Sequence, residues 1–191
     1  QYVAFLLFNG QAEIWDRENA VWISLAIKNS AIESLAFRYT HPDQIYILEK
    51  NILHIWSLAE AQEKQNFSLQ TGDAKQVISL QENERFFVVF DNFIACWSTS
   101  SESAIYQLSL DTTNLSDQQI FVYLDTAYIL QSQGGWVINV DSGEIMQEFS
   151  VPGYSLVQIS VFPTSNRIYL TSELNHILFG ELSIGENNFQ E

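Results

Sequence analysis

The sequence predicts an all-β fold assembled from one four-stranded antiparallel unit repeated about five times, and three observations carry the prediction. Large apolar residues recur at a spacing of 41: Trp15, Trp56, Trp97, Ile138 and Phe179 each close a short run of strand character. Ten residues before each stands an aromatic side chain, Phe5, Tyr46, Phe87, Tyr128 or Tyr169, followed at once by an aliphatic one, Leu6, Ile47, Val88, Ile129 or Leu170. Aromatic residues make up 14% of the chain, so chance does not fill one register five times over. Apolar positions alternate with a period of two, and helical periodicity is missing throughout.

Each element of the unit has its own justification. Turn-forming residues separate the two columns: Asn9-Gly10, Lys50-Asn51, Asp91-Asn92, the run 131–134, and 173–175. They predict a hairpin joining the second and third strands. A fourth strand follows in VWISLAI, QNFSLQ, AIYQLSL and IMQEFSV, and a first strand precedes in IESLAF, KQVISL, QQIFVYL and VQISVF. Four short strands per 41 residues is the pattern of a β-propeller blade. Residues 1–191 read as one such segment, with residue 1 at the start of a second strand and residue 191 near the start of a fourth, about 4.7 units in all.

The repeat resembles the WD-repeat propellers. Trp15-Asp16 reproduces the dipeptide that closes the third strand in that family, Trp56-Ser57 and Trp97-Ser98 keep its Trp, and Asp91 and Asn9 stand six residues before a Trp, where the family favours Asp. The resemblance implies a ring of about seven blades, completed by the rest of a longer natural chain or by another chain. A closed ring of five is the rival. The family's Gly-His dipeptide is missing from every copy; His41 falls in an inter-strand loop, and His54 and His176 in third strands. The Ser/Thr-His-Asp-Trp hydrogen-bond network therefore cannot take its usual shape, which leaves blade stability to aromatic and aliphatic packing. Repeats of this degenerate kind imply a scaffold within a multisubunit assembly.

Charge narrows the partners. Against 23 acidic residues stand 8 Lys and Arg, a formal net charge of -15. Such a surface repels a phosphate backbone, so direct nucleic-acid binding is excluded and protein subunits with basic surfaces are favoured, although acidity also serves solubility alone. No run is long enough for a membrane span, and no signal-peptide pattern opens the chain. A single cysteine, Cys96, cannot form an internal disulfide, which points to an intracellular compartment, cytoplasmic or nuclear. The missing initiator Met points to a fragment or a processed product.

Catalytic chemistry finds no support. Three scattered histidines and one cysteine offer no zinc-ligand spacing, and neither a nucleophile elbow nor a phosphate-binding Gly loop is present. No catalytic, cofactor or metal residue is assigned, and Cys96 reads as a core residue. Trp22 and Trp136 lie outside the repeated Trp column, and Trp136 shares with His54 and Glu13 a column predicted to alternate away from Ile14, Ile55 and Val137. Trp22, Trp136 and His54 are thus the candidate partner contacts, with packing against an adjacent blade as the alternative. The predicted function is a non-catalytic interaction scaffold. The alternative, a small propeller lectin or glycan-processing enzyme, calls for matching pocket residues in every copy, whereas the residues after the Trp column, Asp16, Ser57, Ser98, Asn139 and Gly180, share no binding chemistry.

Overall fold

A computed structural model describes residues 1–25, 31–69, 72–81, 84–101, 103–110, 119–162, 167–174, 177–181 and 189–190; His176 lies outside them. Regular structure among these residues is entirely β. The chain divides into two compact units, 1–116 and 117–191. The first holds three sheets: β1 (Tyr2–Leu6), β2 (Ala12–Asp16) and β3 (Val21–Ser24); β4 (Ile32–Phe37), β5 (Gln44–Glu49), β6 (Ile52–Ser57) and β7 (Gln62–Ser68); and β8 (Gln76–Ser79), β9 (Arg85–Val89), β10 (Phe93–Ser98) and β11 (Tyr106–Ser109). The second holds two: β12 (Gln119–Tyr123), β13 (Thr126–Gln131), β14 (Gly134–Asn139) and β15 (Ile145–Ser150); and β16 (Leu156–Phe162), β17 (Arg167–Ser172), β18 (Ile177–Glu181) and β19 (Phe189–Gln190). Each sheet is an antiparallel meander in chain order, the blade-like unit that the repeat predicts. In the first sheet β1 occupies the place of a second strand.

Hairpin length decides which side chains share a face. Two-residue turns, Lys50-Asn51, Asp91-Asn92 and Ser132-Gln133, close the second-to-third-strand hairpins of the three middle sheets. There Tyr46 pairs with Ile55, Phe87 with Cys96 and Tyr128 with Val137. The β1–β2 hairpin is one residue longer: Leu7 N–H donates to Gln11 C=O at 2.8 Å, leaving Phe8, Asn9 and Gly10 in the loop. Gly10, at φ 76°, supplies the left-handed residue that a three-residue hairpin needs, and a Cβ there would stand 2.7 Å from Ala31 Cα.

The extra residue turns over one strand relative to the other. Phe5 pairs with Glu13, so it holds the place of Ile47, and Ala4 holds that of Tyr46. In the last sheet Tyr169 pairs with Phe179 and Ile168 with Gly180, which puts Gly180, not Phe179, in the register position of Trp97. The fixed spacing of 41 thus aligns the three middle sheets and is corrected by one residue in the first and the last.

Packing between consecutive sheets follows from this alternation. In the first unit, Trp56 joins Ile45 and Ile47 in a core with Ile14 of the preceding sheet, while Tyr46, Leu53 and Ile55 face the other way into a core with Phe86, Val88 and Trp97. The Trp column therefore packs backwards, onto the sheet before it. Tyr46 and Phe86 rings lie 5.0 Å apart, and each large apolar side chain buried here contributes roughly 1.5–3 kcal/mol. In the second unit Tyr128, Leu130, Val137 and Phe149 form a core with Leu156, Ile159, Ile168, Leu170 and Leu178.

Polar links repeat as well. Hairpin tips accept from the start of the next sheet: Gly10 C=O from Ile32 N–H and Ser132 C=O from Leu156 N–H, with Asn51 Oδ1 accepting from Ala74 N–H. First strands are joined by Ser34 Oγ accepting from Val77 N–H and Gln119 Oε1 accepting from Ile159 N–H. The indole Nε1 donors of Trp56 and Trp97 are buried with no protein acceptor among the described residues, in keeping with a sequence that lacks the Gly-His element. Aromatic area has to outweigh their desolvation, on the order of 1–3 kcal/mol each.

Candidate functional site

The first sheet is the only one of the described sheets with three strands, and its two faces differ in kind. Tyr2, Ala4, Ala12, Ile14 and Ile23 pack into the core shared with Trp56 and Ile47. The opposite face carries Val3, Phe5, Glu13, Trp15 and Trp22, as the pairs Val3–Trp15, Phe5–Glu13 and Trp15–Trp22 require. Phe5 is 45% exposed where its counterpart Ile47 is 0% exposed, and Trp22 is 57% exposed. The Trp22 ring lies 5.0 Å from that of Trp15 and 6.0 Å from that of Phe5, so three aromatic side chains form one patch. Leu6 and Val21 are exposed as well, but on the opposite face by alternation, and Phe8 is exposed in the hairpin loop.

No strand pairs with β1 on the side away from β2 among the described residues. Arg17 N–H donates to Gln1 C=O and Leu7 N–H to Gln11 C=O, which assigns the odd positions of β1 to β2. By antiparallel alternation the backbone groups of Tyr2, Ala4 and Leu6 point outward. The surroundings are acidic: Glu13 lies within the patch, and after burial the charges of Asp16, Asp43 and Glu18 hold the Tyr2 phenol above its ordinary range.

Trp22 is therefore placed as a surface contact requires; the other two candidates are not. Trp136 is 6% exposed, a correction to the expectation that its column faces solvent. That column is solvent-facing at Glu13 and Ile177 but is buried at Ala95 and Trp136. The His54 side chain is 14% exposed and sits between two carboxylates, Nε2 at 3.6 Å from Glu49 and Nδ1 at 3.3 Å from Glu63. It bridges β5, β6 and β7 instead of reaching outward. Cys96 is buried, as expected of a core residue. Among the described residues no group of His, Cys, Asp or Glu is arranged to hold a metal ion, and no helix is long and apolar enough to cross a membrane.

Two features escape the sequence reading. Buried Arg38 donates through Nη1 to Gln44 Oε1, places Nη2 3.6 Å from Glu84 and lies 5.7 Å above the Tyr46 ring. Burial pushes the Tyr46 phenol up to about 12, with Arg38 opposing the shift. This cluster ties the β4–β5 turn to the β8–β9 turn. The column after the Trp positions also has a shared role, although not a binding one. Asp16 Oδ1 accepts from Glu18 and Asn19 N–H, Ser57 Oγ from Glu60 N–H, Ser98 Oγ from Ser100 N–H, and Asn139 Oδ1 from Asp141 and Ser142 N–H. Short oxygen-bearing side chains recur there because each closes the turn that leads out of the third strand.

No protein-family model matches the chain, and no curated protein sequence matches it.

Proposed function

We propose that the chain is a non-catalytic protein-interaction scaffold, a WD-repeat-like propeller segment that works inside a multisubunit assembly within the cell. The observation that carries this reading is the aromatic face of the first sheet, where Phe5 and Trp22 are exposed and Trp15 is half-buried, whereas Ile47 and Val88 in the place of Phe5, and Trp56 and Trp97 in the place of Trp15, are buried. A contiguous aromatic patch of this kind marks an interaction surface, and Trp is enriched among interface anchors. In a ring of about seven blades the same face is where a preceding blade packs, whether the rest of a longer chain or another chain supplies it. Net charge of -15 favours a partner with basic residues at the rim of the contact.

The test compares wild type with Trp22→Ala in affinity capture from a native extract, with circular dichroism confirming that both are folded. A stable protein complex that the substitution disperses is expected. Specific glycan binding on an array, with no protein complex recovered, would overturn the scaffold in favour of the lectin alternative.

A further inference from the structure

We propose that Glu84 is a charge-operated latch: a strained residue held by buried Arg38 and by Thr99, whose release uncouples the second and third sheets at one end. The latch needs neither a partner nor the face of the first sheet, so it stands apart from the scaffold reading.

A strained backbone and a charged contact coincide at Glu84. Its φ is 52°, in the left-handed region that is costly for a residue with a Cβ. Among the described non-glycine residues at positive φ, which are otherwise Ala20, Lys50, Ala61 and Leu124, it is the only acid. Its carboxylate has two partners: Oε1 lies 3.6 Å from Arg38 Nη2, and Oε2 accepts from Thr99 Oγ1 at 2.9 Å. Its C=O accepts from Thr99 N–H at 3.1 Å.

Further bonds radiate from these partners. Arg38 opens the segment between β4 and β5, where Tyr39 N–H donates to Ser79 Oγ, at the end of β8, at 3.0 Å. Thr99 follows β10, and its C=O accepts from Gln65 Nε2 of β7 at 3.1 Å. β4 and β7 belong to the second sheet, β8 and β10 to the third, so Glu84 stands where the two are tied together.

Unequal exposure lets charge work the latch. The Arg38 side chain is 8% exposed and that of Glu84 48%. Ions reach the carboxylate but not the guanidinium, so the pair opens by Glu84 moving outward and leaving Arg38 behind. Strain at residue 84 favours that movement. A buried guanidinium left unpaired opposes it, the more so because Arg38 Nε already lacks a protein acceptor among the described residues. The closed state therefore holds at low ionic strength and loses ground as salt screens the exposed arm.

The test is amide hydrogen exchange on the full chain, read at Thr99 and Tyr39. Ile32 N–H, bonded to Gly10 C=O at the opposite end of β4, is the internal reference. Raising NaCl from about 0.05 to about 1 M is expected to speed exchange at Thr99 and Tyr39 together, about tenfold relative to Ile32. Glu84→Gln keeps the shape and removes the charge, so exchange at both is fast at low salt and indifferent to more. Glu84→Asn also loses the ion pair but suits a left-handed backbone, so Thr99 stays protected while the salt response disappears. Thr99 and Tyr39 responding separately in wild type, or neither responding to salt, would overturn the coupling. Identical exchange in the two variants would overturn the strained latch. If Glu84→Gln speeds Ile32 as much as Thr99, the whole sheet has loosened, and the salt series on wild type decides alone.

Discussion

Phe5 and Ile47 occupy the same register position in consecutive sheets, and replacing each with Gln separates an open face from a covered one. Ile47 is fully buried between the first two sheets. Ile47→Gln forfeits roughly 1.5–3 kcal/mol of apolar burial and strands an amide without partners, a further cost of about 1–3 kcal/mol. Phe5 is about half exposed, so Phe5→Gln forfeits about half of a phenylalanine's burial, roughly 0.8–1.5 kcal/mol, and its amide stays in water. The two variants should differ by about 2–4 kcal/mol. Urea unfolding followed by circular dichroism reads this directly: at a slope of about 2 kcal/mol per molar, Ile47→Gln lowers the midpoint by about 1.5–3 M and Phe5→Gln by about 0.5 M. Equal shifts would refute the reasoning, because they would mean that the β1 face is covered as β5 is.

Three further outcomes follow from the same packing. Trp136→Ala should destabilise the second unit by about 3–5 kcal/mol in denaturant unfolding, as expected of a buried Trp, whereas a loss of partner binding at unchanged stability would restore it as a surface contact. Tyr46 ionises only at about 12 when folded, above its ordinary 10.0, so its contribution is whole below pH about 10 and is lost as pH rises through the folded value. Tyr46→Phe should therefore flatten the alkaline limb of a pH–stability curve. The bond from the Asn19 side chain, with those from the Asn19 and Glu18 N–H groups, holds the Asp16 carboxyl below its ordinary range; its contribution is present above the unfolded value and lost as pH falls through the folded one. Asp16→Asn should remove that acid-side loss in thermal melts across pH.

The repeat made the sheets legible because packing between consecutive sheets imposes the same alternation on each, and the middle columns at Trp56 and Trp97, Tyr46 and Phe87 land where that alternation needs them. Register at the ends was not legible in the same way. A single inserted residue in the β1–β2 hairpin keeps an aromatic at position 5 yet turns it to the other face, and composition is indifferent to which face it is. Gly10 carried the signal, since a lone Gly after Asn suits a three-residue hairpin as well as a two-residue one. Trp22 stands out in the sequence because it lies outside the repeated Trp column, and it is exposed. Trp136 broke the column too, but exposure depends on whether a neighbour covers a face, and that is a property of tertiary packing. Arg38 offered no sequence signal, because what makes it unusual is its burial beneath Gln44, Glu84 and Tyr46.

Hydroxyl-radical footprinting of the five tryptophans by mass spectrometry tests the open aromatic face most directly. The account predicts that Trp22 is modified fastest and Trp15 next, with Trp56, Trp97 and Trp136 slower by about tenfold or more, as their burial dictates. Protection of Trp22 and Trp15 to the level of Trp97 in the isolated protein would contradict it, because the face proposed to receive a partner would already be covered.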